Sequence, residues 1–327
     1  MIRDIIIPIT IQEVTMSDYI LNLLPVNDEE RAAFEAAAPD AVHVYSGRRT
    51  VTPEQLAQAT ILFGWPKAKD LAHCQNLKWF QTMWAGSDEY TTTGCVPEGA
   101  ILTNSSGSNS HAVAEHLFAC LLALCRKLPF CRDNQLQCAW VEPGNMKTLL
   151  DSTVLVVGAG KIGSAFAAHC KAMGAHTIGL KRTVNGPIPG FDEVYSIDRL
   201  DELLPLVDVV ALSLPHSAQT ENLMDARRLG LMKRDAILLN AGRGTVLDQD
   251  ALVEVLERGH LWGAALDVTN PEPLPTDHPL WRAPNLLLTP HVAGGMRLEV
   301  TRKTCVEMAL DNLRRYLAGE PLKNVVK

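Results

Sequence analysis

Three side chains in the last third of the chain are of the types that a carbonyl reduction needs: Arg243 in NAGRG, Glu272 in NPEP and His291 in TPH. Arginine is a permanent cation that can hold a carboxylate or polarise the adjacent carbonyl oxygen. Histidine can give a proton to that oxygen in reduction and take it back in oxidation, and a nearby carboxylate favours the charged imidazole and orients it. Upstream lies VVGAGKIG, at 156–163, so a hydride donor and acid–base groups suited to a 2-oxo acid can be read from one chain. Singly, the three would be a surface ion pair, a solvated loop acid and a structural histidine. Their order behind a dinucleotide motif favours chemistry.

In TVLVVGAGKIGSAFAAHCKAMGA a β-branched strand enters the motif and a helix leaves it. Gly158 permits a tight turn, Gly160 lets the backbone approach a pyrophosphate, and Gly163 allows close helix–strand packing. Lys161 and Ile162 complete the turn, and the diphosphate is expected on the helix N-terminus. A nucleoside-triphosphate loop is disfavoured, because Leu155 stands at its first glycine and Ile162 at its magnesium-binding hydroxyl. The next strand ends in Lys181-Arg182-Thr183, where an NAD enzyme presents an acid to the ribose hydroxyls. Lys181 attracts a 2′-phosphate, the Arg182 fork can bind it, and Thr183 can donate a hydroxyl. NADP(H) is therefore expected over NAD(H), the plainer alternative being two solvated surface cations.

These groups must be positioned by two series of elements. From about 18 to 103, DYILNLL, AVHVY, TILFG, WFQT and AILT read as strands, with DEERAAFEAAA and PEQLAQA as helices between them, the alternation of a parallel sheet. Asn27 or Asp28 can cap the first helix. A second series starts near 152 with TVLVV, HTIGL, VDVVALSL, AILLN, GAALDV and NLLLT. Their consecutive apolar residues mark a sheet covered on both faces, and six such strands fit the doubly wound α/β dinucleotide (Rossmann) fold. Between the series SHAVAEHLFACLLALCRKL reads as a helix buried on more than one side, serving either as core or as a subunit interface. The last helix, in VEMALDNLRRYLAGEPLKNVVK, is expected to pack back on the first domain and to make it discontinuous.

Composition is consistent with this. A chain of 327 residues, 47% hydrophobic, suits two domains. Thirty Lys and Arg against 37 acidic residues, net −7, leave no general basic surface for nucleic acid or anionic lipid. The N-terminal MIRDIIIPITIQEV does not read as a signal peptide, LFACLLALC is too short to span a bilayer, and a cytoplasmic location is expected. The eight cysteines include no CxxC and no zinc-like Cys/His spacing, so no metal and no disulfide are expected.

The ordered segments VVGAGKIG, LPHSAQTENL, LLNAGRGTVLDQDALVEVLERGHLWGAALDV, EPLP, HPLW, NLLLTPHVAGG and NLRRYLAGEPLKNVV make the chain resemble the D-isomer-specific 2-hydroxyacid dehydrogenase family over nearly its whole length. The resemblance implies a Rossmann coenzyme domain at 104–291 and a smaller flavodoxin-like α/β substrate domain made of 1–103 and 292–327. It places Arg243 as substrate anchor, His291 as acid–base residue and Glu272 as its partner. It also implies Asp267 near the nicotinamide carboxamide, Ala241 beside the nicotinamide, Pro215 and Thr220 on the adenosine side, and Ala85-Gly86-Ser87 as backbone donors to the substrate carboxylate. Ser87 departs from the small or aliphatic residue usual there, and Met83 and Trp84 before it can shape a pocket or serve as core. A homodimer, D stereochemistry, and a cleft hinged near 103–110 and 290–296 through Gly107, Gly294 and Gly295 are expected from the same source. Rivals on this scaffold are formate or phosphite oxidation, the former disfavoured by the carboxylate of Glu272. A rival of another class is a dinucleotide-sensing corepressor that acts through protein contacts.

Overall fold

The computed structural model describes residues 18–327; the N-terminal run weighed above as a signal peptide lies outside them. The described residues divide into two compact units, one formed by residues up to Asn109 with Met296–Lys327, the other by Ser110–Gly295. Among the described residues, no helix is long and apolar enough to cross a membrane.

The first unit runs β1 (Tyr19–Asn22), α1 (Asp28–Ala37), β2 (Val42–Tyr45), α2 (Pro53–Gln58), β3 (Ile61–Gly64), β4 (Trp79–Thr82), α3 (Asp88–Thr91) and β5 (Ile101–Thr103). All five expected strands are present, in the order β2-β1-β3-β4-β5 and parallel throughout. Of the two candidate caps, Asn27 is the one used. Its side chain accepts from the Glu30 amide at 2.8 Å while Glu30 accepts from the Asn27 amide at 2.9 Å, a reciprocal cap that satisfies two otherwise orphaned donors.

The second unit contains α4 (Ser110–Cys125), α5 (Leu128–Leu136), β6 (Thr153–Val157), α6 (Lys161–Ala172), β7 (His176–Lys181), β8 (Glu193–Ser196), α7 (Leu200–Leu203), β9 (Val209–Leu212), α8 (Ala226–Leu231), β10 (Ile237–Asn240), α9 (Gln249–Glu257), β11 (Gly263–Leu266) and β12 (Leu286–Leu288); α10 (Glu299–Leu317) then returns the chain to the first unit. Its sheet has seven strands in the order β12-β11-β10-β9-β6-β7-β8, one more than the six expected. The additional strand is β8, EVYS, which is half-buried at every position and lies at the sheet edge. It lacks the apolar run that reveals the strands covered on both faces. Those inner strands show why such runs occur. In β6, Leu155 and Val157 enter one cluster with Leu229 and Leu252 of α8 and α9, while Val154 and Val156 enter another with Leu117 and Leu121 of α4 and Phe166 of α6. Ala112, Val113, Leu117, Leu121 and Leu124 of α4 are thus buried, whereas His111, Glu115 and Ala119 are exposed, so this helix is core along one face only.

The closing helix packs on the first unit's sheet. Cys305, Val306, Ala309 and Leu313 join Phe34, Ile61, Phe63 and Trp79 in one cluster. An ion pair fixes it: Arg302 Nη1 and Nη2 donate to Glu30 Oε2 and Oε1 at 2.7 and 2.9 Å, and Nη1 also donates to the Pro25 carbonyl at 2.9 Å. The two side chains are only 13% and 14% exposed, and hydrogen bonding to Arg302 holds the Glu30 carboxyl below the usual carboxylate range. Replacing Arg302 by Met is expected to cost about 1.5–3 kcal/mol, the worth of hydrogen bonds to a charged group, read as a lower Tm. A carboxyl whose folded pKa is lowered stabilises the fold above its ordinary value of about 4.5, and the benefit is lost as pH falls through the folded value. The Tm gap between wild type and variant should therefore be full at pH 7 and shrink below pH ~4.5; a gap that widened in acid would contradict the assignment.

Candidate active site

The parallel register of the larger sheet delivers the loops after β9, β10, β11 and β12 to one edge. Asn240 pairs with Leu212 on one side and Leu266 on the other, and Leu266 pairs with Leu288. Arg243 follows β10 by three residues. The glycines on either side of it are required by close backbone approaches. A Cβ at Gly242 would lie 2.6 Å from the Leu214 carbonyl, and one at Gly244 would lie 2.1 Å from the Thr269 carbonyl. Arg243 is thus held between the loops after β9 and β11. Its Nη1 donates to the Gly242 carbonyl at 2.8 Å. Asn240, fully buried, accepts from the Gly242 amide and donates to the Arg243 carbonyl, both at 3.0 Å. This Asn was not singled out from the sequence. Its signal there is an amide residue ending an apolar strand just before a glycine.

From Thr269 the connection continues to the other two residues. The Thr269 amide donates to Glu272 Oε1 at 3.0 Å, and Glu272 Oε2 lies 2.8 Å from His291 Nδ1. Glu272 and His291 are thus in hydrogen-bond contact. Glu272 stands between two cis prolyl bonds, Asn270-Pro271 and Glu272-Pro273. Both partners are reachable by solvent, 38% and 51% exposed. With Nδ1 committed to the carboxylate, Nε2 makes no hydrogen bond to a described residue.

His291 has a φ of +52°, in the left-handed region that non-glycine residues seldom occupy. Asp267 holds it there. The Asp267 carbonyl accepts from the His291 amide at 2.8 Å, Oδ1 accepts from the Thr289 hydroxyl at 2.6 Å and the Val292 amide at 2.9 Å, and Oδ2 accepts from the Ala293 amide at 3.0 Å. Asp267 is 4% exposed, so its carboxylate clamps the histidine loop from behind. His116 of α4 reinforces the clamp, with Nε2 3.0 Å from the Thr289 hydroxyl and 3.7 Å from Asp267 Oδ1. Family resemblance had suggested only the nicotinamide side for Asp267, and His116 had no assigned partner. Neither clamp is visible in spacing, because the residues lie far apart in sequence.

The fingerprint loop fits a dinucleotide diphosphate. Gly158 has φ +113°, and a Cβ there would lie 2.8 Å from the Ser213 carbonyl; one at Gly163 would lie 2.3 Å from the Gly158 carbonyl. A Cβ at Gly160 would meet nothing within 4 Å, and no side chain caps the helix that begins at Lys161 and Ile162. Open space in front of an uncapped helix N-terminus is suited to an anion. Lys181 ends β7, and Lys181, Arg182 and Thr183 are all exposed with no acid among them. Thr220 closes the loop after β9, donating to the Pro215 carbonyl at 2.8 Å and accepting from the Ser217 amide at 2.8 Å. Ala241 extends β10, its amide bonded to the Leu212 carbonyl at 3.2 Å.

In the first unit, Ala85, Gly86 and Ser87 follow β4. The Ala85 carbonyl is tied to Asn104 Nδ2 at 2.8 Å, and none of the three amides donates to a described residue. Of the two side chains before them, Met83 is buried in the core, and Trp84 is half-buried at its edge.

Residues 118–293 match the family model described as "D-isomer specific 2-hydroxyacid dehydrogenase, NAD binding domain". The chain belongs to this family. Among relatives, the glyoxylate reductase of Thermofilum pendens is 33% identical over 75% of this chain and 73% of its own length. D-3-phosphoglycerate dehydrogenase of Mycobacterium bovis is 31% identical over 92% of this chain, which spans only 54% of that longer protein. A D-isomer specific 2-hydroxyacid dehydrogenase from Xanthobacter autotrophicus Py2, solved with NADPH and MES, is 28% identical with a TM-score of 0.78, covering 96% of this chain and 98% of that one. The protein is therefore a dehydrogenase acting on CH–OH donors, with a nicotinamide-dinucleotide domain.

In this dehydrogenase, replacing Asp267 by Ala leaves the Val292 and Ala293 amides and the Thr289 hydroxyl without their acceptor. The Ala293 amide is the one left buried and unpaired, at an expected cost of about 1–3 kcal/mol, while the Thr289 hydroxyl keeps His116 as a neighbour. Calorimetry should show a clear fall in Tm; an unchanged Tm would mean that the loop holds itself.

Proposed function

We propose that this dehydrogenase reduces a 2-oxo acid to the D-2-hydroxy acid, with Arg243, Glu272 and His291 as its working side chains. The observation that carries the reading is the 2.8 Å pairing of His291 Nδ1 with Glu272, which leaves the other imidazole nitrogen to serve a substrate. The Nδ1–H donates to Glu272, so the ring is oriented and Nε2 is the atom that hands a proton to the carbonyl oxygen. Arg243 holds the substrate carboxylate and draws charge from the carbonyl as it becomes an alkoxide. In the first unit, Ala85, Gly86 and Ser87 carry amide donors of the kind that bind a substrate carboxylate. A dinucleotide held by the fingerprint loop would supply the hydride for the carbonyl carbon. In the oxidative direction neutral His291 takes the hydroxyl proton. Gly158, Gly160, Lys161, Ile162 and Gly163 would cradle the diphosphate, Pro215 and Thr220 would line the adenosine, and Ala241 and Asp267 would border the nicotinamide.

His291→Ala is expected to lower kcat by ~10²–10⁴-fold, the usual contribution of general acid–base catalysis, while coenzyme titrations stay near wild type. Undiminished turnover by that variant would remove His291 from the chemistry.

NADP(H) is the favoured coenzyme. Two exposed cations and a hydroxyl at the end of β7, with no acid to meet ribose hydroxyls, support it, as does the NADPH bound to the Xanthobacter relative. Wild type should show the higher kcat/KM with NADPH, and Arg182→Ala should cut that value ~10-fold or more, as loss of a charge-assisted phosphate contact implies. A preference for NADH in the wild type would reverse the assignment.

A further inference from the structure

Arg48, Trp65, Trp84 and Glu89 gather on the first unit's sheet, and none of them has a part in the reaction described above. The strand order places β1 between β2 and β3, so the winding reverses beside β1; open parallel sheets receive ligands outside the carboxyl ends of their strands at such a reversal. Arg48 follows β2 and Trp65 follows β3, and the two meet across that point, the guanidinium carbon 3.5 Å from the Trp65 ring centroid. Gly64 lets the chain just before Trp65 lie against the end of β1. Its φ is +122°, and a Cβ there would lie 2.8 Å from the Leu23 Cβ at the end of β1. Trp65 meets Trp84 edge to face, with centroids 5.2 Å apart, and Trp84 directly precedes Ala85-Gly86-Ser87.

The polar atoms of the cluster are unevenly satisfied. Both oxygens of Glu89 are engaged, Oε2 by Trp65 Nε1 at 3.0 Å and Oε1 by the Ala68 amide at 3.3 Å. Arg48 Nε and Trp84 Nε1 are buried with no hydrogen-bond partner. Arg48 is half-buried, and among the described residues no carboxylate pairs with its guanidinium, which lies against the Trp65 ring instead. Both orphaned groups are donors, and stacking on Trp65 fixes the plane of the guanidinium fork, which suits bidentate contact with carboxylate or phosphate. An apolar tail would leave both donors unpaired.

We propose that Arg48 is a specificity residue that binds a second, distal anionic group on the 2-oxo acid, carboxylate or phosphate, beyond the carboxylate met by residues 85–87. This rests on the 2-oxo acid reading above. It predicts a substrate with negative charge at both ends.

Four substrates test it on the full-length protein with saturating coenzyme: 2-oxobutanoate with a neutral tail, oxaloacetate and 2-oxoglutarate with a terminal carboxylate, and the phosphate ester of hydroxypyruvate. Wild type should favour one anionic class over 2-oxobutanoate in kcat/KM. Arg48→Met, which keeps the stem over Trp65, should shrink that ratio ~10- to 100-fold, the worth of a charge-assisted contact. Arg48→Lys should restore only part of it, since an ammonium lacks the fork. Whichever class shows the effect separates carboxylate from phosphate. A ratio untouched by Arg48→Met, or a wild-type preference for the neutral tail, overturns the proposal and leaves Arg48 a cation stacked on tryptophan. Tryptophan fluorescence titrations of the same four compounds, without turnover, separate this from the catalytic reading. Arg48-dependent binding of an anionic class with no reduction of any 2-oxo acid would sink the reductase reading and keep this one; binding indifferent to Arg48 would sink this one whatever the turnover.

Discussion

The carboxylate of Asp267 is the group on which the arrangement of the larger unit's site depends. It is buried at the end of β11, and it turns the following strand's exit back on itself by accepting from Thr289, Val292 and Ala293, while its own carbonyl takes the His291 amide. A carboxylate accepting several donors in a low-dielectric setting makes a strong and directional anchor. With that anchor the histidine keeps a left-handed backbone and aims Nδ1 at Glu272. The His291 side chain can then remain reachable by solvent while its backbone is fixed from within.

The second constraint is steric. Gly242 and Gly244 let the Arg243 turn lie against the backbone at Leu214 and Thr269, closer than any side chain permits. Thr269 then bonds to Glu272. Arginine, carboxylate and imidazole are thus joined through backbone contacts between adjacent loops of a parallel sheet. The fingerprint glycines follow the same logic on the neighbouring loop, where Gly163 approaches Gly158 and the helix end faces open space. The fold places chemistry at strand ends, and glycine sets how closely those ends can pack.

Much of this was legible in the chain. The five strands of the first sheet and six of the second announce themselves by apolar runs, and NAGRG, NPEP, TPH and VVGAGKIG fall in loops that follow strands of the larger sheet. β8 was not legible, because an edge strand needs no continuous apolar run and EVYS has none. The choice between Asn27 and Asp28 as cap also waited for coordinates, since either residue type can perform it. Asn240 escaped notice for a related reason: its partners lie in the turn after its strand, and an amide ending an apolar stretch does not name its partner.

By itself, the sequence determined fold class and the dinucleotide loop, because local periodicity and glycine placement are properties of neighbouring residues, and family resemblance singled out Glu272 and His291 as candidates. Tertiary structure alone decided the Asp267 clamp, the backbone contacts that hold Arg243, and the stacking of Arg48 on Trp65 beside an unpaired Trp84. Those contacts join residues brought together only when separate strands align in register, and no spacing along the chain encodes which donors end up buried without an acceptor.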